Sequence, residues 1–208
     1  MRLLIAGSFL LAVVSASHAQ SIDAPTYSVG DAWTYKTGGD TREIKVLKVD
    51  GGGGIEVVGY LPSCATCIVQ LDRDLTILAV LDAGGKPVDV TSIGFVPIGT
   101  SWQFFNFPPE PKKRWDFSGT AFNRGSTETY QLSNRVETLE DVKTPAGTFK
   151  AYRIVRDWLL KAKTQVRNRD ITWRTTSWFA PDVKWVVKST TTSATGQDGE
   201  LISYSLKK

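Results

Sequence analysis

The sequence predicts an exported all-β protein built on a curled antiparallel sheet of about 10–12 strands, and three observations carry that reading. Apolar and polar residues alternate with a period of two along much of the chain. Short segments rich in Gly, Asp and Pro punctuate these runs at hairpin spacing. Beyond the first twenty residues no stretch carries the pattern of a full amphipathic helix. A length of 208 residues holds one full-sized domain with a core and is too short for two comfortable ones. The 41% hydrophobic content excludes disorder, and 18 Gly with 9 Pro is ordinary for a β-rich fold.

The first element is an export signal. Arg2 supplies a short positive region, Leu3 to Val14 is an almost unbroken apolar run, and Ser15-Ala16-Ser17-His18-Ala19 supplies the small residues a signal peptidase reads. Cleavage is expected after Ala19, with Ala16 as the alternative. The apolar run is shorter than the roughly 20 residues a membrane span needs. No cysteine follows it, so the lipid-attachment variant of the signal is not expected. Residues 1–19 are therefore read as a signal peptide and 20–208 as a single β domain, soluble and either periplasmic or secreted.

Cleavage has a chemical consequence. His18 is the one histidine and Met1 the one methionine, and both would leave with the signal. A histidine-based nucleophile system and a histidine-ligated metal are then excluded, leaving carboxylates, Lys or Tyr for any acid–base work. No catalytic residue, cofactor or metal site is predicted.

Along the mature chain, Glu43-Ile44-Lys45-Val46 and Ile55-Glu56-Val57 alternate as half-buried strands, with Asp50 to Gly54 as the hairpin turn between 41–49 and 55–61. Asp82-Ala83-Gly84-Gly85, Asn123-Arg124-Gly125-Ser126, Pro145-Ala146-Gly147 and Thr195 to Gly199 mark later turns. Val183, Trp185 and Val187 are expected on the inner face of one continuous strand, opposite Lys184 and Lys188. Near the C-terminus Ile202, Tyr204 and Leu206 are expected to point inward. Pro108-Pro109-Glu110-Pro111 interrupts pairing and is read as a crossover loop, since proline cannot donate to a ladder.

Val29 to Tyr35 is echoed by Ile98 to Phe104, each with a Gly turn and then a Trp opening a strand. Either a tryptophan after a tight turn simply starts a strand well, or a half-sheet is duplicated with Trp33 and Trp102 at equivalent corners.

Three constellations could carry function. Cys64-Ala65-Thr66-Cys67 reads as a local disulfide staple in an oxidising compartment, with redox and metal roles as alternatives. A strand-like segment follows it, where a thioredoxin-type thiol needs a helix N-terminus. Seven tryptophans serve either core packing or a ligand surface for an acyl chain or sugar ring. Trp173 and Trp185 lead that ligand set, with Trp33 and Trp102 beside them. A basic tract from Arg153 through Arg156 to Arg174 includes Lys161, Lys163, Arg167 and Arg169, expected at the tip of a long hairpin. It reads as a solvated ribbon that blunts edge association, or as a contact for anionic lipid or envelope polymers. Nucleic acid is not an expected partner for an exported protein.

Val142-Lys143-Thr144-Pro145-Ala146-Gly147-Thr148-Phe149-Lys150-Ala151 and Trp178-Phe179-Ala180-Pro181-Asp182-Val183-Lys184-Trp185-Val186-Val187-Lys188 resemble two segments of a family of exported bacterial β-proteins of unknown function. Val29 to Tyr35 and Glu200 to Tyr204 fit the same pattern. The family's glycine is replaced by Lys184, so a plain strand is expected in place of a bend there. This resemblance implies the half-barrel sheet of the lipoprotein carriers LolA and LolB, whose concave face holds acyl chains. It implies a ligand class and no catalytic residue. The leading expectation is a non-catalytic envelope protein that binds a lipid, another apolar ligand or a protein partner. A thiol-disulfide protein using Cys64 and Cys67 and a structural envelope component are the alternatives.

Overall fold

The computed structural model describes residues 23–89, 103–123, 126–163, 168–194, 196 and 198–208. The signal segment 1–19, Trp102 and Arg167 lie outside these described residues. Eleven strands form one antiparallel sheet: β1 (Ala32–Thr37), β2 (Asp40–Val49), β3 (Ile55–Val58), β4 (Ile68–Leu71), β5 (Ile77–Leu81), β6 (Arg114–Asn123), β7 (Ser126–Thr144), β8 (Gly147–Lys163), β9 (Asn168–Ala180), β10 (Trp185–Thr191) and β11 (Gly199–Ser205). Their spatial order is β5-β4-β3-β2-β1-β11-β10-β9-β8-β7-β6. Two meanders, β1–β5 and β6–β11, are thus joined where the first strand pairs with the last. The sheet curls without closing into a barrel, and β5 and β6 are its edges. Residues 82–113, with the proline-rich stretch, connect one edge to the other.

Local chemistry sets the turns. Asp50 accepts from the amides of Gly52 and Gly54 at 2.8 Å each. Asp72 accepts from Asp74 and Thr76 at 2.9 and 2.7 Å, and Asp82 from Gly84 and Lys86 at 2.8 and 2.9 Å. In each case one aspartate oxygen satisfies the amides two and four residues on, closing the turn from within. The segment from Asp50 to Gly54 is the hairpin read from sequence.

The main core runs from Trp33, Val46, Val57 and Val69 across to Ile154, Phe179, Val183, Val187 and Leu201. Beyond it the long strands β7, β8 and β9 project as an arm, with a second small cluster of Tyr130 and Leu132 packed by Phe117, Trp158, Leu160 and Trp173. On this arm Asp157 joins Arg174 and Arg135 at 2.6 Å each, while Glu137 meets Arg135 at 3.0 Å and Arg153 at 3.2 Å. Charge-assisted bonds from Arg174 and then Arg135 hold the Asp157 carboxyl below the usual carboxylate range. That depressed pKa stabilises the fold above the ordinary carboxylate value, and the benefit is lost as pH falls through the depressed one. Asp157→Asn should therefore cost a small amount of stability at neutral pH, less in high salt, and nothing in strong acid. Denaturant melts of both proteins across pH check this; a gap that persists in acid contradicts it.

Three expectations are corrected. The bend at Lys184 survives without glycine. Pro181–Val183 forms a single 3-10 turn, and Lys184 follows in the left-handed region at φ 61°. Its amide bonds Pro181 O at 2.9 Å, and Tyr27 donates to its carbonyl at 2.9 Å. Its ammonium lies 3.6 Å from the fully buried Asp31 carboxylate. Packing of the turn thus outweighs the cost of a side chain at positive φ. Lys184→Gly should be about 1 kcal/mol more stable than Lys184→Ala, since both lose the ion pair and only alanine keeps the strain. Equal melts for the two would contradict that account.

Near the C-terminus Leu201 is buried and Leu206 packs against the core as expected, while Tyr204 is 42% exposed. The β1–β11 register shifts between Thr34 and Tyr35 and skips Ile202, so the simple alternation is broken there. Finally, Gln103 and Phe104 do not open a strand, because the next strand begins at Arg114. The strand expected of the second half of the repeat is therefore missing among the described residues.

Candidate functional site

Gly59 begins the geometry of the site. At φ 75° it turns the chain out of β3 and over β2, bringing Tyr60 and Leu61 to the inner side. Cys64 and Cys67 are joined as a disulfide just beyond. Leu61 and Cys64 form an isolated bridge, and Cys67 is buried in the core. This turn therefore fixes one rim of the concave face.

Opposite it, Tyr27, Trp33 and Trp185 form a compact aromatic group. Trp33 and Trp185 stack at 4.6 Å, and Tyr27 meets both edge-on. The Trp33 indole donates to Val183 O at 2.8 Å, tying β1 to the turn before β10. The Tyr35 hydroxyl donates to Val186 O, which adds a second tie.

Between these walls lies a cavity of about 770 Å³, within the roughly 300–1,000 Å³ typical of small-molecule sites. Its apolar lining includes Ile44, Leu61, Ile77, Phe105, Val186 and Trp185. Its basic lining is Arg42 from β2 and Arg156 from β8. Arg156 is 5% exposed. It donates to Ser177 Oγ and to Phe104 O at 2.8 Å each and sits 5.1 Å from the Phe105 ring and 5.6 Å from that of Phe104. Arg42 donates to Tyr60 O at 2.9 Å. Burial lowers the Arg156 pKa to about 10 and lowers that of Arg42, while it raises those of Tyr35 and Tyr60. At neutral pH both arginines are cations and both tyrosines are neutral.

The sequence-predicted residues divide. Trp185 lines the cavity, and Trp33 stands behind it in the core. Trp173 stacks on Trp158 at 5.0 Å in the arm, and Phe104 links that pair to the cavity through a 6.3 Å contact with Trp158. Lys161, Lys163 and Arg169 stand exposed at the end of the β8–β9 hairpin. Arg156, read from sequence as part of that solvated ribbon, is instead buried in the concave face. The signal was available: Arg156 is in phase with Tyr152 and Ile154, and Arg42 is in phase with Ile44 and Val46, all four of them core residues.

Comparison with known proteins bears on the second meander. Residues 114–206 match the DUF3108-like family. The match spans β6 to β11, including both motifs on which the resemblance was read. It supplies Arg156, Ser177 and Trp185 to the cavity, while Arg42 on β2 and Tyr60 in the turn after β3 come from the chain before it. No match was found among curated proteins. Among solved structures, the chain is similar to a lipoprotein candidate from Parabacteroides distasonis, at 14% identity and TM-score 0.49, covering 89% of this chain and 99% of that one. It is also similar to an exported-protein candidate with a YmcC-like fold from Bacteroides fragilis, at 15% identity and TM-score 0.40, with 89% and 99% coverage. A third is the hypothetical lipoprotein YmcC from Escherichia coli, at 11% identity and TM-score 0.44, with 86% and 84% coverage.

Among the described residues no helix is long and apolar enough to cross a membrane, and no group of three or more His, Cys, Asp or Glu is arranged to hold a metal ion.

Proposed function

We propose that this chain is an exported, non-catalytic binding protein of the cell envelope, cleaved after Ala19, that holds a lipid or other amphiphilic molecule on its concave face. The observation that carries the reading is the cavity between the Cys64–Cys67 rim and Trp185, large enough for a small ligand and walled mainly by aliphatic and aromatic groups. Trp185 and Phe105 offer rigid apolar area at low entropic cost. Trp173 and Trp33 support that wall from the arm and the core, and the disulfide staples the rim. The chemistry asked of the site is containment.

The exposed Lys161, Lys163 and Arg169, with Arg167 between them in sequence, serve in this reading as a contact for the anionic envelope surface from which a ligand is taken. Native mass spectrometry of protein purified from its own envelope should show a copurifying amphiphile, and a fluorescent fatty acid should bind and be displaced by unlabelled lipid. Absence of both signals would refute ligand carriage. Co-sedimentation with vesicles containing anionic lipid, abolished by salt, tests the hairpin separately.

A further inference from the structure

We propose that the ligand is a single-chain amphiphile with a compact anionic head, held by Arg42 and Arg156 while its tail lies along Ile44, Leu61, Ile77 and Trp185. This rests on the preceding reading of the cavity as a ligand site and adds the charge and shape of what fills it.

Two guanidinium groups line one largely apolar cavity, and neither takes part in an ion pair among the described residues. Their hydrogen bonds go to neutral oxygens: Ser177 Oγ and the carbonyls of Phe104 and Tyr60. The Nε of each is buried and has no hydrogen-bond partner, as is also true of Arg153, so the difference lies in the missing counter-charge. Arg135, Arg153 and Arg174 are more exposed than Arg156, and each meets a carboxylate. The deepest arginine is thus one left without a counter-charge.

A buried charge is costly unless it is paired, and a buried donor left unmade adds to that cost. Asp40, the carboxylate among the lining residues, forms no ion pair with either arginine. A guanidinium lining such a cavity without a counter-charge is suited to carboxylate or phosphate oxygens, which its planar array of donors binds. The aliphatic and aromatic wall beside it has no use for a soluble anion and suits an alkyl chain. The fatty-acid carboxylate and the lipid phosphate share this chemistry.

Displacement titrations of the exported, purified protein with laurate, dodecyl phosphate, dodecanol and inorganic phosphate test the assignment. Laurate or dodecyl phosphate should bind at least about tenfold more tightly than dodecanol or inorganic phosphate, and the tighter of the two identifies the head. The Arg42→Met/Arg156→Met variant should bind the three twelve-carbon compounds alike, its fold being checked by circular dichroism and by retained dodecanol binding. Should the double variant fail to fold, Arg42→Met alone is expected to narrow the preference, because Arg42 is only half-buried. Equal affinity of wild type for dodecanol and both anions overturns the charge assignment and leaves the cavity as a ligand site. Inorganic phosphate binding as tightly as dodecyl phosphate overturns the amphiphile. Failure of every compound to bind removes the ligand reading itself.

Discussion

Gly59→Ala is expected to lower the stability of the protein by about 3 kcal/mol or more, because strain and collision act together at that position. A Cβ there would fall 1.8 Å from Glu43 O and 3.0 Å from its carbonyl carbon, so neither atom is the flexible end of a side chain. The backbone also holds φ 75°, which L-residues adopt at a cost. Relief would require β3 to move away from β2 where Tyr60 enters the cavity. Ligand binding should therefore weaken alongside stability. A denaturant melt compares the two proteins, and a loss smaller than about 1 kcal/mol would show that the approach of the two strands is softer than the geometry says.

Asp31→Ala carries the second large effect. The carboxylate is fully buried where β1 begins. One oxygen accepts from Ser28 N at 3.0 Å and lies 3.6 Å from Lys184 Nζ, and the other accepts from Lys207 N at 2.6 Å. It ties the entrance of the first strand to the exit of the last and to the turn after Pro181. Removing one member of such a set leaves a cation and two amides without their acceptor, which costs about 3 kcal/mol. For a domain of this size that lowers Tm by roughly 6–12 °C. Asp31→Asn should recover only part of the loss, since one carbonyl cannot accept on both sides. A variant that melts with wild type would show that the junction is held by the sheet hydrogen bonds alone.

Legibility in the sequence followed the range of the interactions. Ile44, Val46, Ile55 and Val57 point inward as their alternation predicts, and the turn at Asp50 closes through its own side chain. Each depends on residues within a few positions. The faces of Ile202 and Tyr204 are not legible in the sequence, because the register skip at Ile202 is set only against Thr34 and Tyr35, far away in the chain. At Lys184 residue type alone argues for a straight strand, while Tyr27 and Asp31, distant in sequence, hold the bend. Charge suggested a solvated place for Arg156, and its phase in the strand pointed inward. Phase was the better guide.

From its sequence this chain already specified a sheet protein with Asp- and Gly-rich hairpin turns, because alternation and turn chemistry are local properties of the polymer. Folding decided the rest. Pairing of β1 with β11 joins segments more than 160 residues apart and makes one curled surface from two meanders. Alternation assigns each side chain to one of two faces, but the direction of curl decides which face is enclosed. That curl brought two arginines of separate strands to the wall of one largely apolar cavity, where the lack of a counter-charge became a chemical signal.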